Sequence, residues 1–338
     1  MRSSDFFDQL NTNRAVHCMR YFGKEFKTLH FVLERAEAVL LVAHKRPDPD
    51  TVGANLALKY YLEEQGKHVS IACYDPFPEN LSALFHADFF HPDQLDLASF
   101  DAVIAADSVD RGFHLFRDRF DERQVITLID HHPDIDLTAD IVMIDPKYSS
   151  SSELVYLFFM HIQAHISKDI ATALLTGILF DTGNFKHSSV SPQVMDIASH
   201  LMKLGAPLTK ISNTIFTNKN ISAMKLWGLA FEKVKFIPQT GLLVTAVTRS
   251  DIDECEATPD DVYQVASILS TVPEARFALV LSERDETTVR GSLRSSEYHG
   301  VDVSAIAHRL GGGGHKLASG FEVKGKIVES AEGWHIMS

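Results

Sequence analysis

The sequence is poor in cysteine and in long apolar runs. Its three cysteines, Cys18, Cys73 and Cys255, lie far apart and form no C-x-x-C pair, which argues against a disulfide framework and a thiolate zinc site. No apolar run approaches the length of a membrane span, and no signal-type segment follows Met1. We therefore expect a cytoplasmic protein without a membrane partner.

Basic charge is also scarce, which limits the classes of partner. Acidic residues number 45 against 32 basic ones, so the formal net charge is −13. A field of this sign disfavours long nucleic acids, because proteins bind them largely through basic side chains. Short phosphorylated ligands could still occupy a locally basic cleft. The sequence contains neither a P-loop nor a G-x-S-x-G motif, so a serine nucleophile is not indicated.

The 338 residues provide enough chain for two domains, and the first half alternates short apolar runs with helical patterns. The apolar runs cover residues 38–43, 68–73, 102–106, 125–129 and 141–144. Runs that are apolar on both faces are typical of buried parallel strands, and a helical pattern over residues 51–65 separates the first two. This order predicts a doubly wound α/β sheet.

The second half of the chain mixes helical and strand patterns. Helices are predicted over residues 152–166, 169–180, 192–204, 209–216, 222–236, 259–269 and 303–310, and strands over 242–247, 275–282, 289–294 and 321–323. The helical stretch 222–236 is interpreted as a connector to a smaller second domain. A run of four serines, 149–152, and a run of four glycines, 311–314, are the two low-complexity segments.

Acidic and histidine side chains follow several of the predicted strands. They are His44, Asp48, Asp50, Asp107, Asp130, His131 and His132, and Asp181 follows a later apolar segment. Ligands bind at the carboxyl ends of strands in open α/β sheets, and carboxylates that meet there would repel one another. A pair of divalent cations would neutralise them. Ordinary turn and capping roles are the alternative for Asp50, and they are preferred for Asp145.

Two metal ions indicate a reaction at phosphorus. Such a pair lowers the pKa of a water molecule and stabilises both the attacking and the leaving oxygen of an in-line displacement. Asp107 stands alone after a strand that is predicted to be central, which suits it to contact both ions.

Taken in order, these motifs resemble those of the DHH phosphoesterase superfamily. The motifs are H-x-x-x-D-x-D from His44 to Asp50, the lone Asp107, the triplet Asp130-His131-His132, Asp181-Thr182-Gly183, and, near the C-terminus, Arg290–Ser295 and Gly311–Gly314 followed by His315. The last two resemble the DHH-associated domain. Three positions depart from the family pattern: Pro49 replaces a usual glycine, Asn55 stands where serine is common, and Lys186 where arginine is usual.

The resemblance implies a two-manganese centre in which Mg²⁺ or Co²⁺ could substitute. One ion would be held by His44, Asp48 and Asp107, and the other by Asp50, Asp107, His131 and Asp181. With Asp107, the catalytic residues would be His132, facing the scissile phosphate, and Asp130, supporting the metal centre from outside it.

The resemblance also implies a domain plan. A catalytic domain would span residues 1–218, a helical connector 219–237 and a substrate-binding α/β domain 238–338, with the active site in the cleft between the domains. A homodimer would form through the first domain.

The second domain carries the predicted substrate contacts. They are Arg290, Arg294, Gly312, Gly313, Gly314 and His315, joined by Lys186 of the first domain. Glycines let backbone amides approach an anion closely, and two arginines four residues apart on a strand face the same side. An arginine pair can bind a terminal phosphate through several hydrogen bonds. A flexible linker is the alternative for the glycine run.

The resemblance implies hydrolysis of short oligoribonucleotides to mononucleotides, with 3′-phosphoadenosine 5′-phosphate as a second substrate. A manganese-dependent pyrophosphatase and a RecJ-like single-strand exonuclease are the enzymatic alternatives. The C-terminal glycine signature argues against the first, and the short acidic chain against the second. A sensor that binds dinucleotides without cleaving them is the alternative outside enzymes.

Overall fold

The computed structural model describes residues 21–109, 112–132, 137–217, 220–262, 264–296, 298–330 and 333–337. The chain divides into two compact units, Met1–Asn218 and Lys219–Ser338. Cys18 lies outside the described residues. Among the helices within these ranges, none has the combination of length and apolar character that crossing a bilayer requires.

A five-stranded parallel sheet forms the centre of the first unit. Its strands are β1 (Ala38–Val42), β2 (His68–Ala72), β3 (Ala102–Ala106), β4 (Val125–Asp130) and β5 (Ile141–Ile144). Their spatial order is β2-β1-β3-β4-β5, and each neighbouring pair is parallel, which confirms the predicted sheet. The strand order reverses between β1 and β3. Ligand sites of open α/β sheets form at such a reversal, outside the carboxyl ends of the two strands.

Helices cover this sheet. They are α1 (Gly23–Arg35), α2 (Pro49–Glu64), α3 (His114–Arg117), α4 (Ser151–His161), α5 (Lys168–Asp181), α6 (Pro192–Lys203) and α7 (Leu208–Ser212), with 3₁₀ turns at Glu79–Leu81, Pro92–Gln94 and Leu97–Ser99 and a π turn at Asn213–Thr217. Most residues of α2, α4 and α5 are buried, because these helices pack against one another as well as against the sheet. The sequence patterns did not indicate α1.

The second unit contains a six-stranded sheet in the order β10-β11-β9-β8-β7-β6. Its strands are β6 (Lys235–Ile237), β7 (Leu242–Val247), β8 (Phe277–Glu283), β9 (Thr288–Ser295), β10 (Gly313–His315) and β11 (Ala318–Lys324). A separate hairpin consists of β12 (Lys326–Ser330) and β13 (Gly333–Met337), and the helices are α8 (Ile221–Glu232), α9 (Arg249–Glu254), α10 (Val265–Leu269) and α11 (Val303–Arg309), with a 3₁₀ turn at Pro259–Val262. This is a second, smaller α/β unit, as expected.

The helical prediction for residues 222–236 was wrong at its end. Helix α8 stops at Glu232, and Lys235–Ile237 form strand β6, which pairs antiparallel with β7. The turn between them contains Gly241 at φ 72°, and its amide donates to the carbonyl oxygen of Ile237. The hairpin therefore depends on a glycine in the left-handed conformation. The helical pattern of the apolar residues before it gave no indication of this turn.

Helices α2 and α5 approach each other closely at glycines. A Cβ on Gly53 of α2 would overlap the carbonyl oxygen of Ala173 in α5, and a Cβ on Gly177 of α5 would overlap the side chains of Asp50 and Ser152. The absence of side chains at these two positions lets the helices bring Asp50 close to the start of α4.

We expect Gly53→Ala to destabilise the protein by about 2 kcal/mol or more, because a backbone atom cannot move aside as a side chain would. Gly228→Ala in α8 is the matched control. A Cβ there meets nothing within 4 Å, so this change should stabilise the helix by up to about 1 kcal/mol. Thermal denaturation followed by circular dichroism measures both, and equal melting temperatures for the two variants would contradict the packing argument.

Candidate metal centre

A turn between β1 and α2 carries the first group of acidic and histidine side chains. Asp48 caps α2, since its Oδ1 accepts hydrogen bonds of 3.1 Å from the amides of both Asp50 and Thr51. Pro49 is the first residue of the helix, where its fixed φ is favourable. The proline is therefore accommodated without a positive φ, which occurs instead at Arg46 with φ 53°.

His44 is oriented by its own backbone neighbour. Its Nδ1 lies 2.6 Å from the carbonyl oxygen of Lys45, so Nδ1 carries the proton and Nε2 has the lone pair. Nε2 lies 3.4 Å from Asp48 Oδ2 and 3.7 Å from Asp107 Oδ2, and the side chain is 2% exposed. The imidazole is thus prepared to act as a metal ligand.

Asp107 follows the central strand β3 and is held on both carboxylate oxygens. Thr51 Oγ donates to Oδ2 at 2.6 Å, and Ser151 Oγ donates to Oδ1 at 3.2 Å. The residue is 1% exposed and has φ 57°, a left-handed conformation that is uncommon outside glycine. Strained backbone of this kind is concentrated at functional sites.

Asp130 at the end of β4 orients the two histidines that follow it. Its Oδ1 accepts the amides of His131 and His132 and lies 2.7 Å from His132 Nδ1, while Oδ2 accepts the amide of Val109. Burial acts to raise the pKa of Asp130, but the hydrogen bonds and positive charge of His132 outweigh it and lower this pKa to about 2. Asp130 therefore acts as a charged hydrogen-bond acceptor.

His131 joins the remaining carboxylates. Its Nε2 lies 2.9 Å from Asp181 Oδ2 at the end of α5, 3.8 Å from Asp107 Oδ1 and 4.0 Å from Asp50 Oδ2. Burial acts to lower the pKa of His131, yet the charge and hydrogen bond of Asp181 outweigh it and raise this pKa well above its ordinary value.

Burial and repulsion from neighbouring carboxylates disfavour the charged forms of Asp50 and Asp107. Burial, followed by repulsion from Asp181, raises the pKa of Asp50 to about 8, and the side chain is 0% exposed. Burial and then repulsion from Asp50 raise the pKa of Asp107 well above its ordinary value. A bound cation would reverse both effects, because it favours the ionised carboxylate.

The donor set fits divalent cations. Two groups each offer one ligand atom per residue within 4.8 Å of the others: His44 with Asp48 and Asp107, and Asp50 with Asp107 and His131. Adjacent ligands of an octahedral ion at about 2.1 Å lie about 3 Å apart, so these side chains need only small movements to close on an ion. Imidazole and carboxylate oxygen suit Mn²⁺ and similar ions. Asp107 belongs to both groups.

The other predicted site residues lie elsewhere on the chain. Lys186 is exposed in the loop after α5. Arg290 and Arg294 lie on β9, whose residues alternate between half-buried and buried, so the two arginines share a face. The glycine run leads into β10, where Gly313 pairs with Gly320 and His315 with Ala318 of β11. Their role as substrate contacts stays a prediction.

Two family models match the chain. The model of the DHH family N-terminal domain matches residues 38–178, and that of the DHHA1 domain matches residues 239–332.

The chain carries a DHH domain followed by a DHHA1 domain.

Relatives and solved structures agree with this assignment over nearly the whole chain. The bifunctional oligoribonuclease and PAP phosphatase NrnA of Thermus thermophilus is 29% identical over 92% of this chain and 92% of its own, and NrnA of Bacillus subtilis is 24% identical over 85% and 90%. An exopolyphosphatase-related protein from Bacteroides fragilis superposes with a TM-score of 0.81 at 25% identity, covering 89% of this chain and 91% of that one.

A more distant structure shares the fold alone. It is RecJ of Thermus thermophilus in complex with Mn²⁺, with a TM-score of 0.52, 13% identity, and coverage of 89% of this chain and 51% of that one.

The sequence analysis assigned no role in this centre to three residues: Thr51, Asn55 and Ser151. Thr51 and Ser151 bind the carboxylate of Asp107, and Asn55 Nδ2 donates to the carbonyl oxygen of Ala106 directly before it. The only sequence signal for Ser151 was the run of four serines, which looks like low-complexity sequence until its partners are known.

The raised pKa of Asp50 predicts how metal-free protein responds to pH. Asp50 has a pKa of about 8 in the folded protein against an ordinary value of 3.8, so as pH rises between these values the unfolded chain loses this proton first. The free energy of unfolding then falls with pH, by up to about 1.4 kcal/mol per unit for one proton. Saturating Mn²⁺ should oppose this trend, because metal competes with protons for the ligands.

Other groups also titrate in this range, so the quantity to compare is a difference between variants. In EDTA, the free energy of unfolding should fall more steeply from pH 5 to pH 7.5 for the wild type than for Asp50→Asn. Chemical denaturation at each pH measures both slopes. Parallel slopes would mean that Asp50 is ionised throughout and that the carboxylates do not repel each other as described.

Proposed function

We propose that this protein is a metal-dependent phosphodiesterase that hydrolyses short oligoribonucleotides to mononucleotides, with 3′-phosphoadenosine 5′-phosphate as a second substrate. The observation that carries the proposal is the meeting of two His/Asp ligand groups at Asp107, at the strand-order reversal of the sheet. Similarity to proteins named bifunctional oligoribonuclease and PAP phosphatase, over most of both chains, supports the same substrate class.

Each side chain has a proposed role in this chemistry. His44, Asp48 and Asp107 would hold one Mn²⁺, and Asp50, Asp107, His131 and Asp181 the other. Bound there, the ions would supply a water molecule of lowered pKa and positive charge for the phosphoryl oxygens. With Mg²⁺ or Co²⁺ as substitutes, the same ligands would serve.

His132 is the proposed proton donor. Its Nδ1 is bound to Asp130 Oδ1 at 2.7 Å, and Nε2 is the atom proposed to meet the substrate. Burial acts to lower the pKa of His132, but the hydrogen bond and charge of Asp130 outweigh it and raise this pKa. A protonated imidazole can stabilise a phosphate and give its proton to the leaving oxygen. Asp130 acts through His132 by fixing its ring.

The second unit is proposed to bind the part of the substrate that does not react. Arg290 and Arg294 share a face of β9, and the amides around Gly312–Gly314 and His315 offer further donors for a phosphate or a base. Lys186 would add a positive charge from the first unit. The cytoplasmic location expected from the composition and the homodimer implied by the family resemblance belong to this proposal as well.

One panel of substrates tests the proposal. Purified protein is incubated with Mn²⁺ and, in separate reactions, with pApA, 3′-phosphoadenosine 5′-phosphate, pyrophosphate and a long single strand, and products are followed by chromatography and phosphate release. We expect cleavage of the first two and loss of activity after exhaustive chelation, restored by Mn²⁺. Full activity after chelation would contradict the metal centre. Preference for pyrophosphate would favour a pyrophosphatase, and preference for the long strand a RecJ-like exonuclease. Binding of pApA without cleavage would favour a sensor.

Arg294→Ala should impair hydrolysis of pApA mainly through KM. Arg294 is predicted to bind a part of the substrate that does not react, so its loss removes binding energy common to the ground and transition states. We expect KM to rise about tenfold, equivalent to one hydrogen-bonded charge contact, with kcat and Mn²⁺ content unchanged. Steady-state kinetics and elemental analysis measure these quantities.

Arg123→Ala is the control for Arg294→Ala. Arg123 is exposed beside Asp121 and precedes β4, at the edge of the sheet opposite the carboxyl ends. The control removes the same positive charge far from the proposed site. If both variants keep wild-type kinetics on pApA, the second unit does not read the substrate through Arg294.

A further inference from the structure

Four consecutive serines lead into α4, the last two as its first residues, and are almost completely buried. This segment, Ser149–Ser152, which we call the serine turn, is at most 2% exposed at any of its residues. Ser150 caps α4, because its Oγ accepts the amide of Glu153 at 3.0 Å. Buried polar groups in proteins almost always have partners, and the partners of this turn include the acidic residues of the metal centre.

Asp50 and Asp107 both receive hydrogen bonds from the serine turn. The amides of Ser151 and Ser152 donate to Asp50 Oδ2 and Oδ1 at 2.7 and 3.0 Å, and the hydroxyl of Ser151 donates to Asp107 Oδ1 at 3.2 Å. The amides belong to the first turn of an eleven-residue helix, whose N-terminal end favours negative charge. Ser151 therefore contacts both carboxylates.

The serine turn is itself held in place from the other side. Glu153 is 0% exposed, and its Oε2 accepts both the amide and the hydroxyl of Ser149 at 2.8 Å. Its Oε1 accepts Nε2 of Gln193 in α6, also at 2.8 Å. With both carboxylate oxygens bound, Glu153 fixes the position from which Ser151 reaches the metal centre.

The hydroxyls of Thr51 and Ser151 bind different oxygens of the Asp107 carboxylate. Thr51 occupies Oδ2 and Ser151 occupies Oδ1, so a rotation of the carboxylate about its bond to Cβ would break both hydrogen bonds. An ionised carboxylate oxygen has about two acceptor sites. One site on each oxygen therefore stays available, which is what a carboxylate shared by two cations requires.

We propose that Ser151 is a positioning residue that fixes the rotation of the Asp107 carboxylate for contact with both metal ions. The inference rests on the proposed function, because it assigns Ser151 a task in that metal centre. Ser151 does not touch the substrate. Its loss should therefore lower metal affinity and kcat and leave KM unchanged.

Two substitutions separate hydrogen bonding from packing. Ser151→Ala removes the hydroxyl, and Ser151→Cys keeps the shape of the side chain, with a somewhat larger sulfur atom that is only a weak donor. We expect both variants to bind Mn²⁺ about tenfold more weakly and to cleave pApA with a kcat lowered about 10- to 100-fold, as is usual when the partner of a metal ligand is lost. Calorimetric titration with Mn²⁺ and steady-state kinetics on pApA give the two quantities.

Ser108→Ala is the matched control. Ser108 directly follows Asp107 and is 0% exposed, and among the residues that the structure describes its Oγ has no hydrogen-bond partner. The control therefore removes a buried hydroxyl next to the metal centre without removing a contact to a carboxylate. Its Mn²⁺ affinity and kcat should equal those of the wild type.

Three results would overturn the inference. Wild-type behaviour of Ser151→Ala, recovery in Ser151→Cys, or an equal loss in Ser108→Ala would each show that the Ser151 hydrogen bond does not position Asp107. If the wild-type protein neither binds Mn²⁺ nor cleaves pApA, the result contradicts the proposed function itself, and the positioning role fails with it.

Discussion

The burial of two neighbouring carboxylates, Asp50 and Asp107, is the constraint around which the first unit is arranged. Both are at most 1% exposed, and burial together with repulsion from neighbouring carboxylates raises the pKa of each. Removing charge from water costs several kcal/mol per ion unless partners compensate for it. Amides of the serine turn, the N-terminal end of α4 and the hydroxyls of Thr51 and Ser151 supply part of that compensation. Divalent cations would supply the rest.

This compensation depends on backbone elements meeting at one place. The reversal of strand order puts the ends of β1 and β3 side by side, which brings His44 near Asp107. Glycines in α2 and α5 then let the two helices approach closely. Asp50 can therefore accept hydrogen bonds from the amides of Ser151 and Ser152, which lie more than 100 positions further along the chain. Packing and electrostatics are therefore coupled, since a larger residue at Gly177 would displace the carboxylate itself.

The sequence allowed prediction of what depends on local pattern. The five parallel strands followed from short apolar runs, and eight acidic and histidine residues followed from their positions after strands or an apolar segment. The serine turn could not be recognised, because its partners are distant in sequence and serine is common in ordinary loops. Strands β6 and β10 were also missed. Both are three residues long and depend on hairpin pairing, which no periodicity over so few residues can reveal.

Asn55 shows how a departure from the family pattern can fit the same centre. Its Nδ2 donates to the carbonyl oxygens of Thr51 at 2.8 Å and of Ala106 at 3.1 Å, so a single amide ties α2 to the end of β3. The left-handed backbone of Asp107 costs about 1 kcal/mol or more, and each such hydrogen bond contributes about 1 kcal/mol. A serine hydroxyl has one proton and a shorter reach, and it could not bind both carbonyls. Asparagine therefore helps to offset the strain at Asp107 through backbone carbonyls, and the change of residue leaves the ligand set intact.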